Sequence, residues 1–149
     1  EDSGKALPSD GDGTGFIILG TTHTSITTVG MLCNLDQNNW YVTNPANGLY
    51  ITGATGVALS DTHTATDRIL LHGFVRIADS LMNDARGDST DVGDVIYADP
   101  DTAGEYTTST SQFGSAEYVK VVGHIMDYDS TSSSYLLYIN PSGDFIKVS

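Results

Sequence analysis

The last third of the chain decides the fold class. It holds three β-rich runs, GDVIY (residues 93–97), YVKVVGHIM (118–126) and YLLYINPSGDFIKV (135–148). Valine, isoleucine and tyrosine favour strands, and the stretches between the runs are polar and rich in turn-forming residues. The three runs therefore predict a β-meander, in which strands close in sequence pair in space.

The middle run also predicts how its strand is buried. Apolar residues at 119, 121 and 125 alternate with Lys120 and His124 until Gly123 interrupts them. Alternation with a period of two indicates one buried face, and the glycine indicates a bulge. In the last run, Pro141 has no N–H to donate and ends its strand, so residues 145–148 are expected to form a final edge strand.

The earlier part of the chain contains further strand patterns. Residues 16–19 (FIIL) are an apolar run between glycines and predict a buried strand. The threonine-rich stretch 21–29 and residues 49–52 also suit strands, because β-branched side chains are stiff at χ1. Asn47-Gly48 predicts a turn before the latter.

The longest apolar run spans residues 68–77. Its first half is compatible with a helix, but Val75, Ile77 and Gly73 favour a strand with a bulge at Gly73. Residues 61–67 are polar and predict a helical turn capped by Asp61. Residues 79–90 form a predicted loop, with Leu81 and Met82 tucked beneath it.

These patterns predict an all-β fold: a single-domain β-sandwich or β-barrel-like fold of short antiparallel strands. No stretch of twelve residues shows clean helical periodicity, and 149 residues are enough for one domain with a real core. Residues 1–14 have little to bury and predict a flexible N-terminal arm, so the β domain is expected to cover residues 15–149. No apolar run is long enough for a membrane span, and no signal peptide is visible.

The charge balance is strongly acidic, with 19 Asp and Glu against 6 Lys and Arg and a net charge of −13. Such a surface repels phosphate backbones, so we expect no nucleic-acid partner. Most of the acids are aspartates, which favour turns and caps. The lone Cys33 lies in an apolar context and is expected to be a buried hydrophobe.

No residue pattern predicts catalysis, a cofactor or a metal. The histidines, His23, His63, His72 and His124, lack a second ligand at metal spacing. Oxygen-rich stretches leave calcium as an alternative to ordinary turns: residues 10–14, then Asp88 with Asp91 and Asp94, and Asp127 with Asp129. Turns are the favoured interpretation, and chelator-sensitive melting would revive calcium. Serines occur only in ordinary loop contexts, so we expect no enzyme.

Four short motifs in order carry a family resemblance: GDVIY (93–97), a Thr-Ala-Gly turn (102–104), VKVVG (119–123) and YINP (138–141). Over roughly residues 70–149 the chain resembles structural proteins of tailed-phage virions, which include capsid decoration (cement) proteins and tail or fibre modules. The resemblance implies β-rich domains, often trimeric, with no enzymatic residues to carry over.

The resemblance leads us to expect a capsid decoration protein that binds the outer capsid surface and stabilises contacts between major capsid subunits. The implied partners are the major capsid protein and further copies of the chain, with a trimer favoured, and no membrane. The implied location is the capsid surface of the virion, after assembly in the host cytoplasm. The residues expected to make contacts are in or next to the arm: Lys5, Leu7, Pro8 and Phe16.

Two alternatives remain open. One is a tail-fibre or receptor-binding module that contacts host surface glycans through exposed aromatic side chains and Asp-rich loops. The other is a secreted enzyme or carbohydrate-binding domain, which a deep pocket with convergent polar residues would support.

Overall fold

The chain folds almost entirely into β-strands, as the sequence predicts. The computed structural model describes residues 7, 9–46, 50–144 and 146–149. In these residues the strands are β1 (Gly13–Gly20), β2 (Leu32–Asp36), β3 (Asn39–Val42), β4 (Thr55–Ala58), β5 (Asp67–Ala78), β6 (Met82–Asn83), β7 (Val95–Ala98), β8 (Tyr106–Thr107), β9 (Tyr118–Val119), β10 (Val121–Asp129), β11 (Ser134–Ile139) and β12 (Ile146–Lys147). Short 3-10 turns lie at Asp79–Leu81 and Ser89–Asp91.

Most strands belong to one curled sheet with the order β3-β2-β4-β5-β11-β10-β7-β8-β6, in which β1 also pairs with β5. Neighbours are antiparallel except for β6 and β8. The predicted meander is confirmed, because β7, β10 and β11 are adjacent in the sheet. The predicted final strand is also present, as β12 paired with β9 in a separate ladder; Phe145 lies outside the described residues.

Strand β5 is the longest element and is shared among three partners. It pairs with β1 along residues 67–75, with β4 at Ile69 and Leu70, and with β11 from Gly73 to Ala78. The bulge predicted at Gly73 is displaced: the register shift against β1 falls at Leu71. Gly73 instead lies opposite a second glycine in β1, where the two strands approach closely.

One parallel bridge curls the first half of the sheet back on itself. Thr22, just after β1, pairs with Trp40 in β3, and the His23 N–H donates to the Trp40 carbonyl over 2.9 Å. The succession β1, β5, β4, β2, β3 thereby returns to the end of β1 and forms a half-barrel. Gly20 makes room for this contact, because a Cβ there would lie 2.6 Å from Nε1 of Trp40.

A continuous apolar core fills the curl and the space beneath the meander. Its largest fully buried side chains come from six strands (β2, β5, β7, β8, β10 and β11) and from two residues outside strands, Ile26 and Ile51; the strand residues are Leu32, Ile69, Leu70, Ile77, Ile96, Tyr106, Ile125, Tyr135, Leu137 and Ile139. Cys33 is buried as predicted, and burial raises the pKa of its thiol. Leu81 and Met82 are tucked under their loop, which was also predicted.

Three strand predictions in the first half are wrong in part. Residues 16–19 do form a strand, but Phe16 and Leu19 are exposed, because β1 has no second neighbouring strand in the described residues to cover it. Residues 21–29 form turns around a single bridge, with Ile26 inserted into the core. Residues 50–52 form a turn, and the next strand begins only at Thr55; the predicted Asn47-Gly48 turn lies outside the described residues.

Pairing with β5 begins before residue 15, where the β domain was expected to start. The Gly11 N–H donates to the carbonyl of Arg76 over 2.8 Å, and the Arg76 N–H donates to Asp12 over 2.9 Å. Strand β1 then begins at Gly13. Of the predicted arm, residues 1–6 and 8 lie outside the described part of the chain.

Candidate interaction surface

An exposed row of aromatic side chains crosses the outer side of the sheet. Cross-strand pairing aligns Phe16 with His72, and aligns Phe74 with Tyr138 and His124. Directly opposed residues point to the same side of a sheet, as do residues two apart on one strand. These five side chains therefore share one side, here called the outer aromatic face.

Contacts within the outer aromatic face hold its rings in place. Nε2 of His72 lies 2.8 Å from the hydroxyl of Tyr138, and the two rings meet edge to face with centroids 5.5 Å apart. The Phe74 ring lies 5.3 Å from the same tyrosine. Phe74 and Tyr138 are partly buried, whereas Phe16 is 65% exposed. Fixed rings with polar edges are typical of protein interfaces, since they bury area at little cost in side-chain entropy.

One end of this face is covered by the chain itself. Arg76 follows Phe74 on the same side of β5, yet it is buried. Its Nε donates to the carbonyl of Leu7 over 2.9 Å, and its Nη2 lies 3.7 Å from a carboxylate oxygen of Asp127. Within the described residues its Nη1 has no hydrogen-bond partner. Leu7 is thus attached next to the outer aromatic face.

The predicted contact residues fall into two groups. Phe16 lies on the outer aromatic face, and the half-buried Leu7 borders it through Arg76. Lys5 and Pro8 lie outside the described residues. Sequence reasoning missed Tyr138 and His72, because only the register of β5 against β11 brings together residues that are 66 positions apart.

A buried polar network joins the first half of the chain to the last third. The Asn34 amide donates to Oγ1 of Thr55 over 3.1 Å and accepts from Thr43 over 2.6 Å. Nζ of Lys120 donates to the same Thr55 oxygen over 2.7 Å and to the carbonyl of Ile51 over 3.2 Å. The network therefore fixes the turn at residues 51–55 against the last third of the chain.

Lys120 is the unexpected member of this network. The alternation of its run predicts an exposed lysine between buried valines, but Lys120 is only 4% exposed and Val121 is 36% exposed. The prediction is wrong because β9 ends at Val119 and β10 begins at Val121, which breaks the alternation between them. Burial lowers the pKa of the Lys120 amine. It borders an open pocket of about 370 Å³ together with Leu71 and residues 141–143.

A buried carboxylate, Asp67, organises the loop before β5. It accepts hydrogen bonds from the hydroxyls of Thr22 (2.6 Å) and Thr62 (2.5 Å) and from the N–H of His63 (2.9 Å). Burial alone would raise its pKa, but these hydrogen bonds outweigh burial and lower the pKa to about 2. The predicted helical turn capped by Asp61 is wrong, because Asp67 receives the loop N–H groups and no helix forms.

A second buried carboxylate, Asp91, organises the loop before β7. It accepts from the N–H groups of Arg86 (2.9 Å) and Gly87 (2.8 Å) and from the hydroxyl of Tyr135 (2.6 Å). Burial alone would raise the pKa of the Asp91 carboxyl, but the hydrogen bonds outweigh burial, so the pKa is lowered. Asp88 caps the adjoining 3-10 turn through a capping box. Asp88 and Asp91 therefore stabilise turns, which is the interpretation that the sequence favours over calcium binding.

No metal site forms among the residues that the structure describes: no three His, Cys, Asp or Glu side chains converge there. His23 stacks on Tyr41 with ring centroids 4.3 Å apart, and Nδ1 of His63 lies 3.2 Å from the hydroxyl of Thr22. The other two histidines lie on the outer aromatic face. Among the described residues, no helix is long and apolar enough to cross a bilayer.

Comparison with known proteins gives this chain no relative. It matches no family model, no curated protein and no solved structure.

Proposed function

We propose that this chain is a capsid decoration (cement) protein of a tailed phage, which binds the outer capsid surface without catalysing a reaction. The outer aromatic face carries the proposal. It combines the fixed rings of Phe74 and Tyr138 with the exposed side chains of Phe16 and His72. The resemblance of roughly residues 70–149 to virion structural proteins supports the same assignment.

The proposed mechanism is adhesion. Burial of apolar surface contributes about 25 cal/mol per Å², so covering one aromatic side chain contributes about 2 kcal/mol. A protein seated across neighbouring major capsid subunits adds this free energy to their contacts and so resists the outward pressure of packaged DNA. Further copies of the chain multiply the contacts, and the net charge of −13 keeps the free protein soluble during assembly in the host cytoplasm.

The decisive experiment mixes purified protein with capsids that lack it and measures occupancy. Tyr138→Ser removes the ring that His72 and Phe74 both contact, and we expect binding to weaken at least about tenfold, since one buried aromatic is worth that much. Ile146→Ser is the matched control, because Ile146 is 71% exposed on β12, which belongs to a separate two-stranded ladder. Equal binding by both variants, with melting temperatures that show both are folded, would contradict the proposal.

A second variant tests the arm. Gly11 and Asp12 pair with Arg76, so a deletion of residues 1–14 would damage the sheet. Deletion of residues 1–6 leaves this pairing intact and also spares Leu7. We expect lower capsid occupancy with an unchanged melting temperature. Full occupancy by the shortened chain would exclude residues 1–6 as a capsid contact.

The second candidate is a tail-fibre or receptor-binding module for host surface glycans. The observation that favours it is the pairing of aromatic rings with hydrogen-bonding edges at His72 and Tyr138, a combination that also suits sugars. A glycan array and an image of labelled virions separate the two functions. Label on the tail together with glycan binding would favour this candidate, and label on the shell would favour decoration.

A further inference from the structure

Charge is distributed very unevenly along this acidic chain. Between residues 13 and 60 the sole Asp, Glu, Lys or Arg is Asp36, although the whole chain carries 19 acidic and 6 basic residues. Strands β1 to β4 all fall within this stretch. Strands β1 to β4 therefore carry a single charged residue, on a protein whose net charge is −13.

Strand β1 exposes large apolar side chains on both of its sides. Phe16 is 65% exposed and Leu19 is 64% exposed. Residues three apart on a strand point to opposite sides of the sheet. A partner that lies flat against one side would cover only one of them, whereas a strand added along the edge would contact both.

The edge of β1 is open to such an addition as far as its C-terminal end, beyond which residues 21–23 are hydrogen-bonded to Trp40. Among the described residues β1 pairs with β5 and with no other strand. Its sequence, GTGFIILG, contains no charged residue and no proline, which are the devices that usually prevent edge pairing. An edge strand offers the N–H and C=O groups that point away from its neighbour.

We propose that β1 is a self-association edge, which pairs antiparallel with β1 of a second copy of this chain. A second copy is favoured because two chains of net charge −13 repel each other, and residues 13–60, where Asp36 is the sole Asp, Glu, Lys or Arg, are where they can meet at least electrostatic cost. Antiparallel pairing of identical strands has two-fold symmetry and closes as a dimer. The proposed dimer therefore differs from the trimer that the family resemblance implies.

Sedimentation velocity of the purified chain over a range of concentrations tests this edge without any capsid, so its outcome is independent of the proposed function. We expect a monomer–dimer equilibrium in the wild type. Leu19→Glu places a charge on β1, and we expect self-association at least about tenfold weaker. Leu35→Glu is the matched control, since Leu35 is also exposed and also lies within residues 13–60, but on β2. It should stay within about twofold of the wild type.

Hydrogen exchange of the wild type supplies a readout that needs no variant to fold. Amides of residues 13–20 should become more protected as the protein concentration rises. Three results would each overturn the proposal: a wild type that stays monomeric up to about 100 µM, a closed trimer, or exchange in β1 that does not depend on concentration. Equal weakening by both glutamate variants would also overturn it.

Discussion

Gly15 in β1 and Gly73 in β5 lie directly opposite each other, and both have a φ of +141°. A Cβ added to Gly15 would lie 2.2 Å from the carbonyl oxygen of His72. A Cβ added to Gly73 would lie 2.2 Å from the carbonyl oxygen of Thr14. The two backbones therefore approach too closely for any side chain, and the pairing of β1 with β5 depends on glycine at both positions.

We expect Gly73→Ala to lower the free energy of unfolding by about 3 kcal/mol, because backbone strain and the clash with β1 add together. Gly93→Ala isolates the strain: its φ is +97°, but nothing lies within 4 Å of the added Cβ, so about 1 kcal/mol is expected. Gly143→Ala meets neither problem and should change stability by less than about 0.5 kcal/mol. Urea denaturation measures all three, and equal losses at Gly73 and Gly93 would show that the close approach is relieved cheaply.

Asp67 should make the fold sensitive to acid. Its folded-state pKa of about 2 is below the ordinary aspartate value, so the carboxylate contributes stability at pH values above about 4 that is lost as the pH falls toward 2. We expect Asp67→Asn to cost about 2 kcal/mol at pH 7, and the difference from the wild type to narrow over this window. Asp61→Asn, in the same loop, is the control. Denaturation at several pH values measures this difference in unfolding free energy. A difference between Asp67→Asn and the wild type that stayed constant from pH 7 to pH 2 would contradict a stabilising role for the Asp67 carboxylate.

Lys120 should also make stability rise with pH, but in the alkaline range. Because burial lowers the pKa of its amine in the folded state, the unfolded chain binds more protons as the pH approaches the ordinary lysine value of about 10.4. Stability from this residue therefore rises with pH. Relative to Lys120→Met, the wild type should gain stability between pH 7 and pH 10. Lys147→Met removes the same charge from an exposed position on β12, and identical pH profiles for the two variants would refute this expectation.

The hydroxyl of Tyr135 should hold the loop at residues 84–94 in place. Tyr135→Phe removes its 2.6 Å hydrogen bond to the buried Asp91 carboxylate, and we expect a loss of about 1.5 kcal/mol. Amides of Arg86 and Gly87, which donate to the same carboxylate, should exchange faster. Tyr138→Phe loses a hydroxyl at the surface and should change stability by less than about 0.5 kcal/mol. Unchanged exchange at Arg86 would show that the loop is held by other contacts.

The last third of the chain was predictable because local signals there agree with each other. Turn residues flank each run, and β7, β10 and β11 pair in sequence order. Residues 21–29 had equally good β propensity but form turns. There the hydroxyl of Thr22 donates a hydrogen bond to Asp67, a residue 45 positions away. A local sequence pattern does not report such a distant partner.

Burial and the outer aromatic face are harder to predict, because they too depend on tertiary partners. The apolar character of residues 16–19 was read correctly as a strand, but whether a strand is covered depends on how many neighbours it has, which sequence periodicity does not report. Phe16 is a predicted contact residue, and the structure places it exposed on the outer aromatic face. The rest of the outer aromatic face depends on the pairing of Phe74 with Tyr138 and of Tyr138 with His124.

The sharing of β5 among three partners means that neither half of this chain is self-sufficient. A chain cut between residues 60 and 67 would yield one fragment holding β1 and β4 and another holding β5 and β11. The first fragment would lack the strand that joins β1 to β4, and the second would leave both sides of β5 short of partners. The two pieces should regain native structure when mixed, which makes the loop at residues 61–66 a natural place to divide the protein into complementing fragments.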